Sequence, residues 1–124
     1  MKIKKEEIKV TMEAPGNIMR AQDGLGGFTV AFNEIPGGTD ITPLLKGLPT
    51  DSCHCPHWGY IFTGSMRVIY DNGNEELLEE GDTFYLPPGH TAIVEKDTKI
   101  LDFSPSKELS EVMENIGKRI AELS

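Results

Sequence analysis

Histidine, cysteine and tryptophan are scarce in this chain: three, two and one among 124 residues. Two cysteines, Cys53 and Cys55, are too few for a disulfide scaffold. On an extended strand their spacing sits near the limit of disulfide reach, so a reduced pair is expected. No stretch approaches the ~18 consecutive apolar residues that a membrane span needs. The first ten residues, MKIKKEEIKV, mix lysine and glutamate with isolated apolar residues and lack the apolar centre of a signal peptide. A cytoplasmic protein is therefore expected. Basic residues are also few, 12 against 20 acidic ones, for a net charge of −8. The one basic cluster, Lys2, Lys4 and Lys5, reads as a solvated end. That balance argues against nucleic acid as the main partner and weakly against anionic membranes. Gly24-Leu-Gly-Gly27 lacks the strand–helix context of a phosphate loop, and no Ser-His-Asp arrangement can be argued.

What the chain does have is punctuation. Thirteen glycines and eight prolines favour a fold with many turns over a helical bundle. The length suits a single domain spanning 1–124, large enough for an adequate core. The pattern predicts an edge strand within residues 1–10 and strands at Phe28–Ile35, His57–Phe62, Met66–Tyr70, Glu75–Glu79, Thr83–Leu86, Thr91–Glu95 and Lys99–Phe103. Asp71-Asn-Gly73 predicts a hairpin turn. The stretch from Asp40 to Asp51, with Pro43, Gly47 and Pro49, reads as loop. Leu109, Val112, Met113, Ile116, Ile120 and Leu123 then recur at three- and four-residue steps, which predicts an amphipathic helix over about 106–123. Ser106 is its expected N-cap. The helix could cover the barrel or a second subunit. Short strands with regular turn signals indicate an all-β sandwich or barrel, over about 8–104.

Two segments narrow this further. Gly81-Asp-Thr-Phe-Tyr-Leu-Pro87-Pro-Gly89 resembles the second signature motif of the cupin superfamily, with His90 two positions before the usual histidine slot, which Ala92 fills. Counting back from Gly64, the first motif puts His57 in the glutamate slot and Asp51 and Cys53 in the two histidine slots. Counting from Gly47 gives Cys53 and Cys55 instead. The run from Thr42 through Cys53-His-Cys-Pro-His-Trp58 looks like that of small single-domain cupins of a subgroup without established activity. The resemblance implies a cupin-type double-stranded β-helix, a jelly-roll barrel, with a C-terminal α-helix.

Cupins that bind metal hold a divalent ion with three histidines and a glutamate. Here Cys53, Cys55 and His57 alternate and so share one face of a strand, while His90 faces with the usual ligand slot by parity. A set of Cys53, Cys55, His57 and His90 offers two sulfurs and two nitrogens, which favours zinc and then iron. With all four bound the site is closed and structural; with one absent it can bind water or substrate. His54 reads as a surface residue. Tyr70, Tyr85, Glu34 and Asp102 could supply acid–base groups, and Glu75, Glu76, Glu79 and Glu80 read as a solvated hairpin. Trp58, Tyr60 and Phe62 lie on the opposite face from His57, as packing or as a homodimer interface, and a homodimer is expected. The leading expectation is a metal-binding cupin acting on a small polar molecule. A binding module without catalysis, and a barrel with a purely structural metal, are the alternatives, because fold does not choose the chemistry.

Overall fold

The computed structural model of the chain describes residues 1–123. Seven strands carry most of it: β1 (Val10–Ala14), β2 (Asn17–Leu25), β3 (Phe28–Ile35), β4 (His57–Tyr70), β5 (Glu75–Glu79), β6 (Thr83–Leu86) and β7 (His90–Pro105). A four-residue helix, α1 (Thr42–Leu45), lies between β3 and β4, and α2 (Ser106–Leu123) follows β7 directly. All strand pairings are antiparallel, in the order β1-β2-β3-β7-β4-β5, with β6 beside the first residues of β4.

Two strands serve both walls of the barrel. Trp58 pairs with Phe103 at one end of the β4–β7 ladder, and Tyr70 pairs with His90 at the other. Between them the register shifts three times from Ile61 to Met66. Such bulges bend a strand and let it pass from one sheet to the other. The first half of β4 joins β6, the end of β7 and β3. The second half joins β5 and the start of β7. Ile61, Met66, Val68, Leu86, Val94 and Ile100 form the core around this bend. Gly64 sits at the corner with φ +97°, and a Cβ there would collide with the Asp97 carbonyl and the Thr98 side chain.

Alternation along β7 sorts the interior from the surface. His90, Ala92, Val94, Thr98, Ile100 and Ser104 are buried, while Lys99 and Phe103 between them are exposed. On β4, Trp58 and Phe62 point outward as expected; Trp58 stacks on Tyr85 and meets the edge of Phe28, and Phe62 stacks on Phe32.

Some expected elements shift. Residues 5–7 form a helical turn, and the edge strand starts only at Val10. β2 has no counterpart among the expected strands: Arg20, Gln22 and Asp23 mask its pattern, because they lie on a strand with little outward cover. Pro43 sits in the first turn of α1, where its missing N–H has no intrahelical partner to lose, so a helical turn interrupts the expected loop. The pairs expected at 57–62 and 66–70, and at 91–95 and 99–103, are each one continuous bulged strand.

The C-terminal helix packs on its own barrel. Leu109 and Val112 are buried with Leu45, Cys53 and Cys55, and Met113 and Ile116 complete the contact. Polar ties fix its position: the Asn115 carboxamide donates to Leu44 O and Lys46 O, and Arg119 donates to Pro43 O.

Candidate metal centre

The segment before β4 is held in place from both sides. Thr50 and Asp51 lie in the left-handed region (φ 55° and 52°), a conformation non-glycine residues adopt only when something holds them there. The Thr50 hydroxyl donates to Asp71 Oδ2 at 2.8 Å. Two residues on, Cys53 N–H donates to His90 O at 2.8 Å, and Gly89 N–H and His90 N–H donate to Cys53 O at 2.8 and 3.2 Å. Cys53 is thereby laced to the bend that presents His90.

His57 arrives from the other end of the folded ladder. The corner brings the His57 and His90 rings to 5.3 Å between centroids. One ligand atom from each of Cys53, His57 and His90 lies within 4.8 Å of the others, and Cys53 Sγ is 3.5 Å from His57 Nε2. In a tetrahedral zinc site, donor atoms stand about 3.3–3.7 Å apart given the usual bond lengths. Cys53 and His90 are buried and His57 is half-buried.

Both imidazoles are oriented through the nitrogen that faces away. His90 Nδ1–H donates to Pro87 O at 2.8 Å. His57 Nδ1 lies 2.6 Å from Ser104 Oγ, and that hydroxyl donates onward to Asp102 Oδ1 at 3.4 Å. Each ring therefore keeps its Nε2 lone pair for the centre, the arrangement that metal-ligating histidines use. Burial lowers the His57 pKa to about 3, with His90 adding to the effect, and burial also lowers that of His90. Burial pushes the Cys53 thiol up to about 11. Burial thus favours the neutral form of all three groups, each able to serve as a ligand once the thiol proton leaves.

Cys55, expected as a fourth ligand, lies outside this group. β4 begins at His57, so the alternation that would place Cys53 and Cys55 on one face does not extend to them. The Cys55 thiol instead donates to Pro56 O at 3.4 Å and is buried with Leu109 and Val112. Burial and the neighbouring Cys53 raise its pKa to about 12. His54 is exposed, with its Nε2 engaged by Pro49 O, Thr50 and Ser52.

The group opens into a barrel cavity of about 310 Å³, bounded by β1–β4, β6, β7, α1 and α2. Of the acid–base candidates, Asp102 and Glu34 line it. Tyr85 is on the outer surface against Trp58, and the Tyr70 hydroxyl donates to Glu76. Ser104 had no place in the expected site, yet it couples His57 to Asp102. Parity along β7 was the available signal, since Asp102 and Ser104 share the face of His90 and Ile100.

Asp102 carries a testable cost. Burial raises its pKa to about 7, against the opposing Ser104 hydrogen bond. Between about pH 4 and pH 7 the unfolded chain releases this proton while the folded chain retains it, so stability falls across that window and levels above it. Asp102→Asn keeps an acceptor for Ser104 but cannot ionise. In chelator-treated protein it is expected to be more stable than wild type by about 2–4 kcal/mol at pH 8, with the difference vanishing near pH 4. Urea unfolding at both pH values measures this; an equal difference at the two would reject it.

No protein-family profile matches the sequence, and no curated protein matches it either. Solved structures do match. An RmlC-like cupin from Shewanella frigidimarina superposes with a TM-score of 0.57 at 18% identity, over 81% of this chain and 86% of that one. KdgF from Halomonas sp. gives 0.55 at 21% identity, over 81% and 88%. The Fe(II) form of HppE gives 0.59 at 10% identity, over 84% and 59%. The chain has the cupin fold: an antiparallel β-barrel with a C-terminal helix. Among the described residues, no helix is long and apolar enough to cross a membrane.

Proposed function

We propose that the protein binds one divalent metal through Cys53, His57 and His90 and uses it on a small molecule held in the barrel cavity. The observation that carries this reading is the double orientation of the imidazoles: Pro87 O and Ser104 each take an Nδ1, while His57 Nε2 lies 3.5 Å from the Cys53 sulfur and one ligand atom each of Cys53, His57 and His90 lies within 4.8 Å of the others. A sulfur and two nitrogens suit zinc first and iron second. HppE, which shares the fold, has been solved with Fe(II), so a metal-binding cupin barrel has a precedent. A closed structural site would need Cys55 as its fourth ligand, and the Pro56 carbonyl and the α2 contacts hold that residue elsewhere. Three ligands leave positions open, and a metal there would supply Lewis-acid activation of a bound water or ligand oxygen.

The protein's own residues divide the remaining work. Ser104 keeps the His57 tautomer, the Cys53–His90 backbone pairing keeps two donors together, and Asp102 is the proton-exchanging group of the cavity. The test is the metal content of anaerobically purified wild type beside His90→Ala. About one metal per wild-type chain and little in the variant is expected. Metal-free wild type whose melting temperature does not respond to added zinc would overturn the proposal.

A further inference from the structure

The cavity beyond the metal centre has a chemical character of its own. Four of the five methionines, Met12, Met19, Met66 and Met113, line it; the fifth is Met1. They come from β1, β2, β4 and α2, elements with no sequence relation, so their meeting is a property of the fold. The rest of the wall is mainly isoleucine and leucine from α1, α2 and β7. Methionine is flexible and polarizable, and it shapes surfaces that adapt to apolar ligands.

Charge in the cavity is one-sided. Its ionisable lining comprises Asp102, Glu34 and the cysteine–histidine group, and no lysine or arginine contributes. Lys5, Arg20 and Lys99 line the neighbouring cleft around Phe32 and Phe62, which meets the cavity at Asn33 and Glu34. Each is engaged there: Lys5 over the Phe32 ring, Arg20 on Ile8 O, and Lys99 with Glu34. A carboxylate entering the metal-free cavity would meet the Asp102 carboxyl among apolar walls, since Glu34 pairs with Lys99 on the outer face, and an unpaired buried charge is strongly disfavoured. A neutral polar group has a partner. The Asn33 side chain lines the cavity, and among the described residues it makes no hydrogen bond.

We infer that the ligand is an uncharged, largely hydrocarbon molecule with one hydroxyl or carbonyl group, seated among the methionines with its polar end toward Asn33 and Asp102. This deepens the proposed function and rests on its placement of the ligand in the cavity. It also replaces the polar molecule expected from sequence, because pattern could not reveal that the methionines meet. An apolar cavity of ~150 Å³ accepts benzene, so the present volume suits a body of about two fused rings or an aliphatic chain of similar bulk.

The probes are 2-naphthol and 2-naphthoate, titrated calorimetrically into chelator-treated full-length protein below the naphthol pKa. The expected result is saturable binding of 2-naphthol, with 2-naphthoate at least about tenfold weaker. Two variants locate the site. Met113→Trp fills the cavity from α2, and Asn33→Leu removes the polar partner. Each is expected to weaken 2-naphthol by about tenfold or more, with folding checked by circular dichroism. No binding of 2-naphthol, an equal or tighter affinity for 2-naphthoate, or full affinity in both folded variants would each overturn the inference. Zinc content is read separately on protein purified without chelator, so loss of the metal reading leaves a different trace from loss of this one.

Discussion

Cys53→Ser and His90→Ala are each expected to weaken zinc binding by at least about a hundredfold, or ~3 kcal/mol, while Cys55→Ser leaves it within about twofold. The contrast follows from position. The Cys53 sulfur faces His57 Nε2 at 3.5 Å, whereas the Cys55 sulfur turns to Pro56 O behind the wall formed with α2. Sequence spacing treats the two cysteines alike, so this pair of variants separates the structural assignment from the pattern. Ser104→Ala belongs in the same series. It removes the acceptor that holds His57 Nδ1 without touching a ligand atom, and support of this kind is worth about 10–100-fold in affinity. Competition against a chromophoric chelator measures all four proteins. Equal loss in the two serine variants would return Cys55 to the site.

Gly64→Ala is expected to destabilise the fold by about 4 kcal/mol or more, enough to leave little folded protein at ordinary temperatures. Two costs combine at this corner. The backbone is in the left-handed region at φ +97°, where an alanine is strained, and the new Cβ would press on the Asp97 carbonyl and on the Cα and hydroxyl of Thr98. Thr98 is itself buried, with its hydroxyl donating to Lys96 O and Ser65 O, so neither side can move away freely. Gly73→Ala, also at positive φ but with open space around the added Cβ, is the control that isolates the collision. Urea unfolding of the two variants gives the comparison. Matching losses would show that the dihedral alone decides.

Much of the barrel was legible because its turns are chemically marked. Gly64, Gly73, Gly81 and the Pro87-Pro-Gly89 bend punctuate the second half of the chain, and the strands expected between them are present. The terminal helix announced itself by period, and its span agrees with Ser106–Leu123. β2 stayed hidden because Arg20, Gln22 and Asp23 interrupt the run of apolar residues, as they do on strands whose outer face meets water. The cysteine–histidine group was legible only in part. Motif spacing and strand parity, which are local rules, pointed to His57 and His90, and the fold brings these two together with Cys53. Choosing between Cys53 and Cys55 needed the path of an irregular loop, and that path is set by contacts to Asp71 and His90 far along the chain. Ser104 escaped for a different reason: serine is common, and only its 2.6 Å contact with His57 gives it meaning.

The lacing of Cys53 to His90 has a thermodynamic consequence. These residues stand about forty positions apart, and closing a loop of that size costs about 3 kcal/mol in chain entropy. Three backbone hydrogen bonds hold the two donors together. In small zinc domains the metal must gather its ligands, so binding and folding are one event. Here the barrel's own pairing does the gathering. An ion bound as proposed would meet a site already ordered, and could exchange with its surroundings while the chain stays folded.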